Sequence, residues 1–153
     1  MQKAKRGEAE KFKATGYRVG IVASRFNSDI TEALLTSAQK MLKQYQVPLK
    51  NIKVLRVTGG VELPLALQLL AKTKKYNCLV AIGAVIKGET PHFEYVAKMA
   101  TEGILRVMLD YSLPIGLAVL TTNNHRQAVA RINVGGEAVE AAIQVARINK
   151  EIK

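Results

Sequence analysis

The chain has 153 residues, 48% of them hydrophobic, and no low-complexity tract, the profile of one compact globular domain. No apolar run approaches the roughly 20 residues that span a bilayer. The charged opening MQKAKRGEAEKFKATG lacks the apolar centre of a secretory signal, so a cytoplasmic protein without membrane contact is expected. The formal net charge of +11 points to anionic substrates or a polyanion partner. Yet Lys40, Lys43, Lys50, Lys53, Lys72, Lys74 and Lys75 are scattered over helix ends and turns, and no interleaved aromatic platform accompanies them, which disfavours specific nucleic-acid binding.

Residues 1–15 show no periodicity and read as a tail that orders only against a neighbour; the domain proper is 16–153. Tyr17 to Ser24 reads as a first strand, and Arg25-Phe26-Asn27-Ser28 as a turn in which Ser28 or Asp29 caps a helix. That helix carries Ile30, Leu34, Ala38, Met41, Leu42 and Tyr45 on one face and stops at Val47-Pro48. Ile52 to Val57 is the second strand. Thr58-Gly59-Gly60-Val61-Glu62 is a glycine turn, with Pro64 in the first turn of a helix running to about Lys74. Leu79 to Ile86 is continuously apolar and β-branched, as in a strand buried on both faces. Lys87-Gly88-Glu89-Thr90-Pro91 breaks it, and helical spacing resumes with Phe93, Val96, Ala97, Ala100 and Ile104, from His92 to about Asp110. Ile115 to Leu120 is the fourth strand. A short helix follows through Arg131, interrupted by Gly135-Gly136, before a final amphipathic helix using Val139, Ala142, Ile143 and Ala146. The alternation predicts an α/β fold, a four-stranded parallel sheet flanked by helices on both faces. So small a sheet, with Ala- and Leu-rich helices, implies association into an oligomer.

Three strands end in turns of functional composition, SRFN, TGGVE and KGETPH, and in open α/β sheets such ends share one rim. Phe26 suits either a hydrophobic staple or a flat wall for a planar ring. Gly59-Gly60 lets a ligand approach main-chain N–H groups, while Glu62 either accepts from polyol hydroxyls or sits at a positive helix end. The Gly88 turn entering a helix favours a phosphate, and the imidazole of His92 beside it suits proton transfer. As an incidental surface residue His92 has no such task. Arg131 either reaches an anion or is a helix-end ion partner. Cys78 reads as a small buried hydrophobe, and His125 receives no role. Two histidines and one cysteine, far apart, make no metal site. Neither a GxGxxG nor a GxxxxGK[ST] loop is present.

In this order, the segments GIVASRFN, GGVELPLA, AIGAVIKGETPHFEYVA and VLTT…QAVAR resemble the lumazine synthase family, from about Tyr17 onward. The resemblance implies a flavodoxin-like three-layer sandwich and homo-oligomers, pentamers or icosahedral shells, with active sites between subunits. It implies condensation of 5-amino-6-(D-ribitylamino)uracil with 3,4-dihydroxy-2-butanone 4-phosphate in riboflavin biosynthesis, without metal or organic cofactor. Position by position, it makes Phe26 the ring stacking on the pyrimidine, with Ala84, Val85 and Ile86 lining that pocket. Gly60, Val61 and Glu62 hold the ribityl chain. Glu89, Thr90 and Arg131 receive the phosphate, and His92 transfers protons.

The chain departs from the family where Val61 and Leu117 replace aromatics, Leu117 at a position donated to the neighbouring site. The segment after Arg131 is about two residues shorter, and Glu137 falls nearest a family lysine, a charge reversal beside the phosphate. A rival reading follows: a divergent or redesigned structural subunit of the assembly with impaired catalysis. A third, a shell that packages polyanions, rests on the charge alone.

Overall fold

The computed structural model describes residues 4–153; residues 1–3 of the expected tail lie outside them. Four parallel strands, β1 (Val19–Ser24), β2 (Ile52–Val57), β3 (Cys78–Ile86) and β4 (Ile115–Thr122), form one sheet in the order β2-β1-β3-β4. This is the winding of a flavodoxin-like sheet, with strand order reversing between β1 and β3. The helices are α1 (Ser28–Gln44), α2 (Leu63–Lys72), α3 (His92–Asp110), α4 (His125–Val129) and α5 (Val134–Ile152).

Side chains alternate across a strand, so each strand feeds two cores. Val19, Ile21, Ala23, Val80 and Ile82 join Leu34, Ala38 and Leu42 of α1 and Val139, Ala142 and Ile143 of α5. On the opposite face Val22, Leu79, Ala81 and Val119 join Leu63 and Leu67 of α2 and Ile104 and Val107 of α3. Gly20 faces this second layer, where a Cβ would meet Leu79 Cδ2 at 2.7 Å. The sheet is thus covered on both sides, which explains the near-continuous apolar run in β3.

Three local expectations are corrected. The first concerns the cap of α1. Asn27 is the N-cap residue, in the left-handed conformation at φ 56°, and its side chain leaves the helix to donate to the Ala84 carbonyl at 2.8 Å. Neither Ser28 nor Asp29 caps; both are already inside α1.

The second concerns Gly135 and Gly136, which interrupt nothing and belong to the first turn of α5. Their role is contact: a Cβ on Gly135 would stand 2.1 Å from the Leu34 carbonyl oxygen, so α5 crosses α1 at backbone distance. Gly116 permits the same closeness between β4 and Ala138.

The third concerns the tail, which lacks regular structure from residue 4 yet packs on its own chain rather than waiting for a neighbour. Phe12 lies against the rings of Tyr17 and Tyr45, and Ala14 donates its N–H to the Tyr45 carbonyl at 2.8 Å. Part of the cationic surplus is used here, with Arg147 over Phe12 and Lys150 over Tyr17.

Candidate functional site

The C-terminal ends of β1, β2 and β3 converge on one rim, as the parallel register demands: Ser24 pairs with Val57, and Ala23 with Ile82. The turn after β1 is stapled to the end of β2. Arg25 donates its N–H to the Val57 carbonyl at 2.8 Å, and Phe26 to the Thr58 carbonyl at 3.2 Å. Phe26 therefore stays 62% exposed, its ring against Gly59, where a Cβ would come within 3.2 Å of ring carbon Cδ2. An exposed ring on the cavity wall does not fit the staple reading.

In the second turn, Glu62 Oε2 accepts the Gly59 N–H at 2.9 Å, closing the short 3-10 helix Gly60–Glu62. The carboxylate is held at the positive end of α2 and borders the cavity. Gly60 is buried beneath Val96 and Val85.

The third turn is tied to β4 where Lys87 donates its N–H to the Thr122 carbonyl at 2.9 Å. Thr90 Oγ1 accepts the His92 N–H at 3.4 Å at the start of α3, which brings the His92 ring, exposed in its first turn, to the same rim.

These turns enclose a cavity of about 350 Å³. Phe26, Gly60, Val61, Glu62, Ala84, Val85, Ile86, Thr90 and His92 all line it. Asn27, Thr58, Gly88, Phe93 and Val96 complete the wall. Asn27 was missed by sequence reasoning; its enrichment in left-handed turns was the available signal. Glu89 is exposed in the same turn but is not part of the lining.

Two predicted site residues lie elsewhere. Leu117 is 48% exposed on β4, paired with Ala81 well before the rim, and lines a separate groove of about 710 Å³ between α3 and α5. Arg131 follows α4 and donates to the Gln127 carbonyl at 2.8 Å. A reciprocal cap fixes that short helix: Gln127 N–H donates to Asn124 Oδ1, and Asn123 N–H to Gln127 Oε1. His125, given no role from sequence, stands 2.6 Å from Asp29 and ties α4 to α1. That contact holds the Asp29 carboxyl below its usual range. Glu137 sits in the first turn of α5 and accepts from Asn133 Nδ2 at 3.0 Å.

Chemically, the cavity offers an exposed ring, an apolar floor from β3, a fixed carboxylate, and a histidine beside a helix N-terminus. That combination suits a planar polar ligand and an anion, with a proton shuttle between them. Cys78 has no part in it: burial pushes its thiol up to about 12. Among the described residues no helix is long and apolar enough to cross a membrane.

The family model described as 6,7-dimethyl-8-ribityllumazine synthase matches residues 16–150. Two relatives bear that same description. One, from Polaromonas sp. (strain JS666 / ATCC BAA-500), is 41% identical over 150 residues, and one from Paracidovorax citrulli (strain AAC00-1) is 43% identical over 150. Each alignment covers 97% of this chain and 97% of the relative. The extent and level of these matches, with the site motifs on a single rim, show that the chain belongs to the 6,7-dimethyl-8-ribityllumazine synthase family.

Proposed function

We propose that this chain condenses 5-amino-6-(D-ribitylamino)uracil with 3,4-dihydroxy-2-butanone 4-phosphate, releasing phosphate and water to form 6,7-dimethyl-8-ribityllumazine. The observation that carries this reading is the single cavity lined by Phe26, Glu62, Thr90 and His92. The pyrimidine stacks on Phe26 over Ala84, Val85 and Ile86, and the ribityl hydroxyls reach Gly60, Val61 and Glu62. The phosphate lies at the Glu89-Thr90 turn, favoured by the positive end of the 19-residue α3. His92 relays a proton as the amine adds to the carbonyl and water leaves; proximity of the two bound substrates supplies much of the remaining acceleration.

The working unit in this reading is a homo-oligomer, a pentamer or a larger shell, in the cytoplasm. Leu117 and Arg131 of one copy complete the His92 cavity of the next. Supporting this are their distance from that cavity's lining and the apolar side chains exposed on α2 and α3, among them Leu65, Leu69, Tyr95 and Met99. Val61, Leu117 and Glu137 lower turnover without abolishing it, because the proton-transfer residue and the phosphate turn are retained.

The test is lumazine absorbance on mixing both substrates with protein whose assembly is sized by light scattering. His92→Ala is expected to reduce kcat by about 10²- to 10⁴-fold, the usual range for a general acid–base group. Parent protein giving no product above the spontaneous reaction would end this reading.

A further inference from the structure

The N-terminal segment is not merely packed; it is buckled at one buried carboxylate. Glu140 is 6% exposed, and both its oxygens are engaged: Oε1 with Arg6 at 3.1 Å, Oε2 with Tyr45 OH at 2.9 Å and Lys11 at 3.6 Å. Releasing the segment would strand that charge in a low-dielectric site, so the two cations and the carboxylate hold one another. Gln144 adds a bond to the Glu10 carbonyl at 2.8 Å, and Arg6 another to the Glu137 carbonyl at 3.4 Å. The segment's far end is thereby delivered to a recess of about 590 Å³, beside Arg131, whose walls include Lys5, Arg6, Asn133 and Glu137. Lys5, Arg6 and Arg131 share this recess with Glu137, whose carboxylate accepts from Asn133, while Arg6 also pairs with Glu140. No ion pair among the described residues includes Lys5.

We propose that this strap is part of the anion site: Lys5 and Arg6 join Arg131 in holding a phosphate group. Guanidinium forks and an ammonium are the donors that suit tetrahedral phosphate oxygens. The strap offsets the carboxylate of Glu137, and it travels with Arg131 to whatever site Arg131 serves. The inference rests on the reading of Arg131 as a phosphate ligand.

The probe is inorganic phosphate, titrated by calorimetry into the full-length assembled protein and, in parallel, used as an inhibitor competing with the butanone phosphate. Lys5→Ala leaves both cationic partners of Glu140, Arg6 and Lys11, in place and is expected to weaken phosphate about two- to threefold. Lys5→Ala with Arg6→Ala is expected to weaken it about fivefold, the scale of two exposed ion pairs. Glu137→Gln is expected to tighten it. Unchanged phosphate affinity in both strap variants, with a clear loss in Arg131→Ala, overturns the strap and leaves the Arg131 reading standing. Unchanged affinity in Arg131→Ala as well overturns both.

Discussion

Replacing Gly135 with alanine sets two effects of opposite sign against each other. Helix propensity favours the change by up to about 1 kcal/mol, since glycine in a helix forfeits backbone entropy. Packing opposes it. The new Cβ would lie 2.1 Å from the Leu34 oxygen and 2.9 Å from its carbonyl carbon. An ordinary C···O approach is about 3.3 Å, so α1 and α5 must part by roughly 1 Å at their crossing. The obstacle is main chain, which has no rotamer to change, and the core shared by Leu34, Ala38, Val139 and Ile143 opens with it. Overpacking of this kind costs about 3 kcal/mol, the upper end of its usual range, which leaves a net destabilisation of about 2 kcal/mol. Gly136 is the internal control. Its Cβ would meet Ser37 O and Oγ at 3.2 Å, a squeeze of a few tenths of an ångström that the propensity gain roughly cancels. Urea unfolding followed by circular dichroism, at one fixed protein concentration because association shifts midpoints, measures both. A Gly135→Ala protein as stable as the parent would refute the reasoning.

Asn27→Ala removes the bond to the Ala84 carbonyl and places a Cβ-bearing residue without Asn's local compensation at φ 56°; a loss of about 1–2 kcal/mol is expected by the same assay, with Asn27→Gly recovering the conformational part. The Asp29–His125 contact is acid-sensitive. A carboxyl depressed by folding contributes stability above its unfolded value of 3.8, and that contribution is lost as pH falls through the lower folded value. The gap between parent and Asp29→Asn acid-unfolding curves should therefore be present near neutrality, weaken with salt, and begin to close only as pH falls below about 4. Cys78 behaves oppositely. With its thiol raised from 9.0 to about 12, the unfolded chain gains by ionising first, so its contribution to stability is intact below 9 and declines toward 12. A thiol reagent at pH 8 should leave the native protein unmodified and label it once unfolded; rapid native labelling would contradict the burial.

Much of the fold was legible because its determinants are local. The second strand, Ile52–Val57, and the helical period in His92–Asp110 recur with their boundaries in the structure. The rim of the site was legible for a related reason: a parallel sheet sends the turns after β1, β2 and β3 to one edge, so three separated motifs had to meet. Failures came where a residue's role is set by a partner distant in sequence. Gly135 and Gly136 have the composition of a break, and only the nearness of Leu34 and Ser37 makes them contact residues. Asn27 has the composition of a turn, and its amide bonds to Ala84, 57 residues away. The opening segment has no periodicity of its own, and it is held by partners far along the chain, among them Tyr45 and Glu140.

What the sequence determined by itself was the element order, the two apolar faces and the side chains at the rim, because periodicity and turn chemistry act between near neighbours. Tertiary structure decided that Leu117 and Arg131 stand apart from His92 within one copy, and that Lys5 and Arg6 stand with Arg131. Such placements follow from how helices cross and where a buried charge finds its counter-ions, and neither is written in any short window of residues.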